Sequence, residues 1–256
     1  MNYINIQHPY LRQIQLKRQQ VPTYNRYPFD LAVIRNLNTL DFHPKVTYIV
    51  GENGMGKSTL MESIAVAWGF NPEGGTINFS FSTQATHSSL YEYIQLIRGP
   101  RRPKDGFFFR AESYYNLATT IDELDSQPSF ARPIIESYGG KSLHEQSHGE
   151  SFFSTFIHRF GEKGLYILDE PEAALSPLRQ MAMLTRIHEL VLQNSQFIIA
   201  THSPILMAYP DSIIYNLKPD GIEVQVLEET DHYMIMKEFV NNKDRMLREL
   251  FEETQD

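Results

Sequence analysis

The sequence predicts an α/β fold: a largely parallel sheet with flanking helices, plus a small antiparallel β subdomain. Five short apolar runs, Val46 to Val50, Gly106 to Phe109, Leu165 to Leu168, Phe197 to Ala200 and Ile213 to Leu217, have the length and the β-branched or aromatic content of buried strands. Helical segments lie between several of them, and strand, crossover helix and parallel strand is the unit that builds a parallel sheet covered on both faces. No internal repeat, heptad run or low-complexity tract supports a solenoid or a coiled coil instead.

In chain order, Leu31 to Arg35 and the stretch before Val46 read as extra N-terminal strands. After Val46 to Val50, the segment Lys57 to Trp68 reads as a helix that Gly69 ends. Residues Asn71 to Arg102, rich in Gly, Ser, Thr and Pro, read as irregular with one helix near Ser89 to Ile97. Ser176-Pro177 supplies an N-cap and a proline at the first helical position, and Leu178, Met181, Leu184, Ile187 and Val191 keep one apolar face to about Gln193. Ile213 to Leu217 and Ile222 to Leu227 flank Lys218-Pro219-Asp220-Gly221 as a hairpin, and Met234 to Glu253 have the spacing of one amphipathic helix. The expected organisation is one domain over 1–256, with an irregular and helical arm over about 71–145.

Composition narrows the function classes. A chain of 256 residues with 41% hydrophobic and 21% charged residues has enough apolar material for a sizeable core. No run of about 18 apolar residues occurs, and Met1 to Tyr10 lacks the apolar core of a secretory signal, so a cytoplasmic location with no membrane segment is expected. The lack of cysteine closes disulfide and thiolate chemistry. A net charge of −8 confines any nucleic-acid contact to a local patch, for which Arg98, Arg101, Arg102 and Lys104 are the candidates, although such a run is more often a solvated loop.

Two segments carry phosphate chemistry. Gly51-Glu52-Asn53-Gly54-Met55-Gly56-Lys57-Ser58 matches G-x-x-x-x-G-K-[ST] between an apolar strand and a helix, the context that the motif requires. Its glycines let backbone N–H groups turn towards phosphates, the helix N-terminus adds positive partial charge, Lys57 neutralises β- and γ-oxygens, and Ser58 is placed to ligate Mg²⁺, with Thr59 completing the stretch. ATP and Mg²⁺ are the expected ligands. The apolar run Gly164-Leu165-Tyr166-Ile167-Leu168 ends in Asp169-Glu170, two carboxylates at the strand end where open α/β sheets bind ligands. Asp169 suits the metal, and Glu170 suits the polarisation of an attacking water.

Further short elements fall in a fixed order around these two. Gln146-Ser147-His148-Gly149-Glu150-Ser151 precedes the acidic strand, Ala174-Leu175-Ser176 follows it, and Thr201-His202-Ser203 closes the next strand. In this order and spacing the chain resembles the ABC-type ATPases, whose signature is Leu-Ser-Gly-Gly-Gln, and among them the soluble members related to SMC and RecF proteins, in a compact form without a coiled coil. The resemblance implies a homodimer in which Ser147 and Gly149 of one chain meet the γ-phosphate on the other chain's P-loop, with His202 as a γ-phosphate sensor. His148 and Glu150 depart from the signature and bring a ring and a negative charge towards that phosphate. No glutamine stands where the family has its Q-loop, and Glu112 is the nominated equivalent near the metal. Tyr27 and Phe29 could stack on adenine, but core packing is the expected role of both, as it is of Phe107-Phe108-Phe109. The resemblance implies ATP hydrolysis coupled to a nucleic acid or protein partner, with repair or phage defence as settings. The alternatives are the nucleotide-binding subunit of a transporter and a nucleotide-gated adaptor of low turnover. His144 and His148 stand four apart but lack a third ligand for a separate metal.

Overall fold

The computed structural model describes residues 8–77, 88–128 and 132–252. The chain runs β1 (Leu11–Leu16), α1 (Ala32–Asn36), β2 (Thr39–Asp41), β3 (Val46–Gly51), α2 (Lys57–Trp68), β4 (Ile94–Arg98), β5 (Asp105–Arg110) and α3 (Tyr114–Asp125). It continues with α4 (His148–His158), β6 (Gly164–Asp169), α5 (Pro177–Leu192), β7 (Gln196–Ala200), α6 (Pro204–Met207), β8 (Ser212–Lys218), β9 (Gly221–Gln225), α7 (Asp231–Asn241) and α8 (Lys243–Glu252). The main sheet has the order β5-β6-β7-β3-β8-β9, parallel from β5 to β8 with β9 antiparallel at the edge, and β2-β1-β4 forms a separate antiparallel sheet.

Period-2 alternation explains how one sheet serves two cores. In β3, Val46, Tyr48 and Val50 point into one apolar cluster and Ile49 into the other; in β6, Tyr166 and Leu168 oppose Leu165 and Ile167. The run Phe107-Phe108-Phe109 splits the same way, Phe108 alone joining the second cluster. The first cluster packs under α3, α4, α5 and α6, and the second under α1, α2 and the antiparallel sheet. Both faces being covered, every residue of β3, β6 and β7 is buried.

The expected strands of the main sheet, the helix after β3 and the helix after Ser176-Pro177 are all present. The edges need correction. Leu31 to Arg35 is not a strand: Ala32–Asn36 is a short helix, whose Val33 and Ile34 pack on the second core. Ser89 to Ile97 is not a helix: Ser89–Tyr93 makes a single 3-10 turn capped by Ser88, and Ile94–Arg98 then pairs with β1. Local spacing could not show this, because the partner strand lies about 80 residues upstream by the register Ile14↔Leu96. The hairpin of β8 and β9 extends the main sheet, so the small antiparallel sheet is built from N-terminal and arm segments alone. The expected single helix from Met234 is two helices up to Glu252, with Glu253 outside the described residues, because Asn242 leaves helical geometry (φ −130°, ψ 36°) and its carbonyl accepts from Arg245 and Met246 as α8 begins. Part of the expected arm, residues 78–87 and 129–131, lies outside the described residues.

Candidate functional site

The site lies where β3, β6 and β7 end together, because a parallel sheet presents all its C-terminal strand ends on one edge. The loop Gly51 to Gly56 leaves β3 and feeds α2, and three of its glycines take positive φ: Gly51 at 139°, Gly54 at 81° and Gly56 at 94°. At Gly56 a side chain would also meet Val33 Cγ1 at 2.9 Å, so the glycine lets α1 press against the loop. Lys57 is buried, and its Nζ donates to the carbonyls of Gly51 (2.8 Å) and Glu52 (3.1 Å). Burial lowers the Lys57 pKa, with Glu170 and Asp169 acting the other way.

Asp169 and Ser58 meet across the site, the hydroxyl donating to Asp169 Oδ1 at 3.3 Å. Burial pushes the Asp169 carboxyl up to about 7, against the hydrogen bond from Ser58 and the charge of Arg110. A buried carboxylate beside a hydroxyl, with no cluster of three or more His, Cys, Asp or Glu among the described residues, is a donor set that fits Mg²⁺, which takes its remaining ligands from phosphates and water. Glu170 follows in the left-handed region (φ 52°, ψ 52°), uncommon for a residue with a side chain, and its backbone N–H donates to Ala200 O at 2.9 Å. Its Oε1 stands 3.6 Å from His202 Nε2. Burial and the nearby Lys57 and His232 lower the His202 pKa, so the ring is neutral near neutral pH.

Sequence reasoning missed two side chains of this site. Glu172 accepts from the backbone N–H of His202 at 2.6 Å, and its Oε2 is buried without a hydrogen-bond partner. Burial raises its pKa as well. The only sequence signal was its place two residues beyond Glu170 in the same acidic loop. His232, in the first turn of α7, puts Nε2 2.8 Å from His202 Nδ1. A histidine 30 residues from its partner, outside every motif, gives no signal at all. Beside these rings lies a cleft of about 850 Å³, between the phosphate loop at Glu52 and Met55 and the α7–α8 pair at Ile235, Phe239 and Leu250.

Ser147 and Glu150 form a capping box on α4, which starts at His148. The Ser147 hydroxyl donates to Glu150 Oε2 at 2.7 Å and its N–H to the same oxygen at 3.2 Å, and these bonds hold the Glu150 pKa down. Glu150 is thus folded back onto its own helix end. Gly149 is buried where a side chain would meet Ala174 O at 2.2 Å, so its smallness seats α4 on the loop after β6. The side chain of His148, expected to crowd a phosphate, lies outside the described residues. Glu112 is exposed and pairs with Arg110 at 3.1 Å, while Arg110 also holds Glu62 on α2. Tyr27 corrects the expectation of core packing: it is 61% exposed, and its hydroxyl lies 3.2 Å from Thr59 Oγ1, whereas Phe29 is in the core. Of the basic cluster, Arg98 lies over the Trp68 ring at 4.5 Å and Lys104 faces Glu162 at 3.6 Å. His144 is occupied by Thr119 and Tyr115.

Fold and site together are those of a P-loop fold of the ABC-ATPase type. Two family models match, an AAA domain over residues 29–147 and, over residues 150–208, an AAA domain whose description adds the names AbiEii toxin and Type IV TA system. A cobalt import ATP-binding protein of Salmonella paratyphi A is 26% identical over 75% of this chain and 74% of its own. An ABC transporter ATP-binding/permease protein of Mycobacterium tuberculosis is also 26% identical, over 69% of this chain, which spans only 21% of that protein. Among solved structures, an SMC head bound to the C-winged helix domain of ScpA matches over 85% of this chain and 98% of its own, with a TM-score of 0.49 and 13% identity. No helix among the described residues is long and apolar enough to cross a membrane.

Proposed function

We propose that the chain is one ATPase domain over residues 1–256, with an arm over about 71–145, that binds ATP on Gly51 to Thr59, closes as a homodimer and uses the closure to act on a partner. The observation that carries this reading is the convergence at one sheet edge of Ser58 with Asp169 (3.3 Å) and of Glu170 with His202 (3.6 Å). Ser58 and Asp169 would hold Mg²⁺, which offsets phosphate charge when bound. The Lys57 ammonium exchanges the loop carbonyls that it now bonds for β- and γ-phosphate oxygens. Glu170 accepts the proton of the attacking water, and His202 donates towards the γ-phosphate. Exposed Tyr27, tied to Thr59, is the aromatic available to the adenine. Ser147 and Gly149 stand at the N-terminus of α4, where backbone N–H groups suit a partner chain's γ-phosphate once Glu150 turns away and releases the Ser147 hydroxyl and N–H.

Glu170→Gln tests this. The amide keeps the shape of the carboxylate but has no general-base capacity, so nucleotide binding survives, turnover falls by about 100-fold or more, and an ATP-dependent dimer accumulates. Light scattering behind size exclusion reads the dimer. Wild-type turnover in the mutant would reject the catalytic assignment, and a hydrolysis-dead monomer at high concentration would reject the dimer.

A second reading is favoured by the curated relatives, which are transporter ATP-binding proteins: the chain would power a membrane partner. Sedimentation of the ATP-trapped Glu170→Gln protein with membranes would support it. Stimulation of turnover by DNA would support the nucleic-acid partner instead, and the toxin-system description of the second family model supports a defence setting for either.

A further inference from the structure

The His202 ring is held at its Nδ1 end and faces a carboxylate at the other. Its Nδ1 lies 2.8 Å from His232 Nε2, with ring centroids 4.9 Å apart, and its Nε2 is buried, has no hydrogen-bond partner and stands 3.6 Å from Glu170 Oε1. An N···N contact of that length needs one proton between the two rings, so one donates and the other accepts. Which ring donates is decided at the far side of His202. Glu170 and the γ-phosphate are both acceptors, so a lone pair on Nε2 would face negative charge, whereas an N–H there is attracted. A neutral His202 with its proton on Nε2 has a lone pair on Nδ1, and the proton in the contact must then come from His232.

We infer that His232 is a positioning residue: by donating Nε2–H to His202 Nδ1, it fixes His202 in the tautomer that presents Nε2–H to Glu170 and the γ-phosphate. This rests on the reading above that His202 acts at the γ-phosphate. The charged groups facing the pair are Lys57 and Glu52 from the phosphate loop, Glu170 from the end of β6, and Asp231 on α7. Burial and Lys57 lower the pKa of both rings, which keeps each with the single proton that the contact requires. Because His232 sits in the first turn of α7, that helix acts on the site through the His202 ring.

The test combines three variants with one spectroscopic reading, on the full chain. In His232→Leu, kcat falls about 10-fold or more while KM for ATP stays within about twofold, because orientation is lost and nucleotide binding is not. His232→Gln, whose amide can place an N–H near the position of Nε2, keeps most of the turnover. Adding His232→Leu to His202→Ala slows the enzyme no further, since the two side chains act through one ring. Long-range ¹H–¹⁵N spectra of the wild-type imidazoles show the His202 proton on Nε2, and in His232→Leu they show a mixture of tautomers. A His202 proton on Nδ1 in the wild type overturns the inference whatever the kinetics. So does a His232→Leu enzyme with normal kcat beside a slow His202→Ala, in which case His202 still acts at the phosphate but needs no positioning. Wild-type turnover in His202→Ala would instead reject the role of His202, and the inference with it.

Discussion

Burial and the proposed metal role pull Asp169 in opposite directions. Burial against the sheet end raises its carboxyl to about 7, so the ligand-free fold prefers it protonated, while metal binding needs the carboxylate. The sign of the pH effect follows. An unfolded aspartate titrates near about 4, so between about 4 and 7 the unfolded chain releases a proton that the folded chain keeps. Nucleotide-free protein therefore loses stability as pH rises through that window, with no further loss from this group above it. Asparagine does not titrate, so Asp169→Asn should unfold at a higher temperature than the wild type by a margin that widens between about pH 5 and 7 and then levels. Thermal midpoints measured without Mg²⁺ and nucleotide check this. A margin that does not change with pH would mean that Asp169 is ionised in the fold throughout.

At the scale of the element, what could be read from the sequence depended on how local its cause was. The phosphate loop, α2 and β6 were legible because strand, motif and helix are consecutive, and α5 because Ser176-Pro177 marks its start. β4 was not, because its extended form is imposed by pairing with β1, and Ala32–Asn36 was not, because five residues give no period to count. The break at Asn242 was missed because the apolar spacing continues through it while the backbone does not. The start of α7 is set by Thr230, fully buried, whose hydroxyl accepts from Tyr233 N–H and donates to Leu227 O at 2.7 Å. Thr230→Ala removes this cap, worth about 1 kcal/mol. Amide exchange in the first turn of α7 should then quicken about fivefold, and ATP turnover should fall with it through His232. Unchanged exchange would mean that packing against the cleft, not the cap, holds the helix.

For the whole molecule, the strand ends bring together the residues proposed to hold phosphate, metal and attacking water, whereas Ser147 and Gly149 open α4, which rests on the loop that begins at Glu170. In the proposed dimer, each ATP site takes its phosphate loop from one chain and its α4 end from the other. Mixing a Lys57→Ala chain with a Ser147→Arg chain should restore part of the activity that each homodimer lacks, because one composite site in the mixed dimer has both an intact phosphate loop and an intact α4 end. Absence of rescue in demonstrated heterodimers would leave Ser147 with only its capping role. The seat of Gly149 on Ala174 O has a wider consequence. Ala174 belongs to the loop that begins at Glu170, so in the proposed dimer each chain's α4 end would rest on its own Glu170 loop while it faces the nucleotide of its neighbour. If loading one site shifts that loop, the two ATP sites of such a dimer are coupled, and ATP binding to the Glu170→Gln protein should then show a Hill coefficient above one.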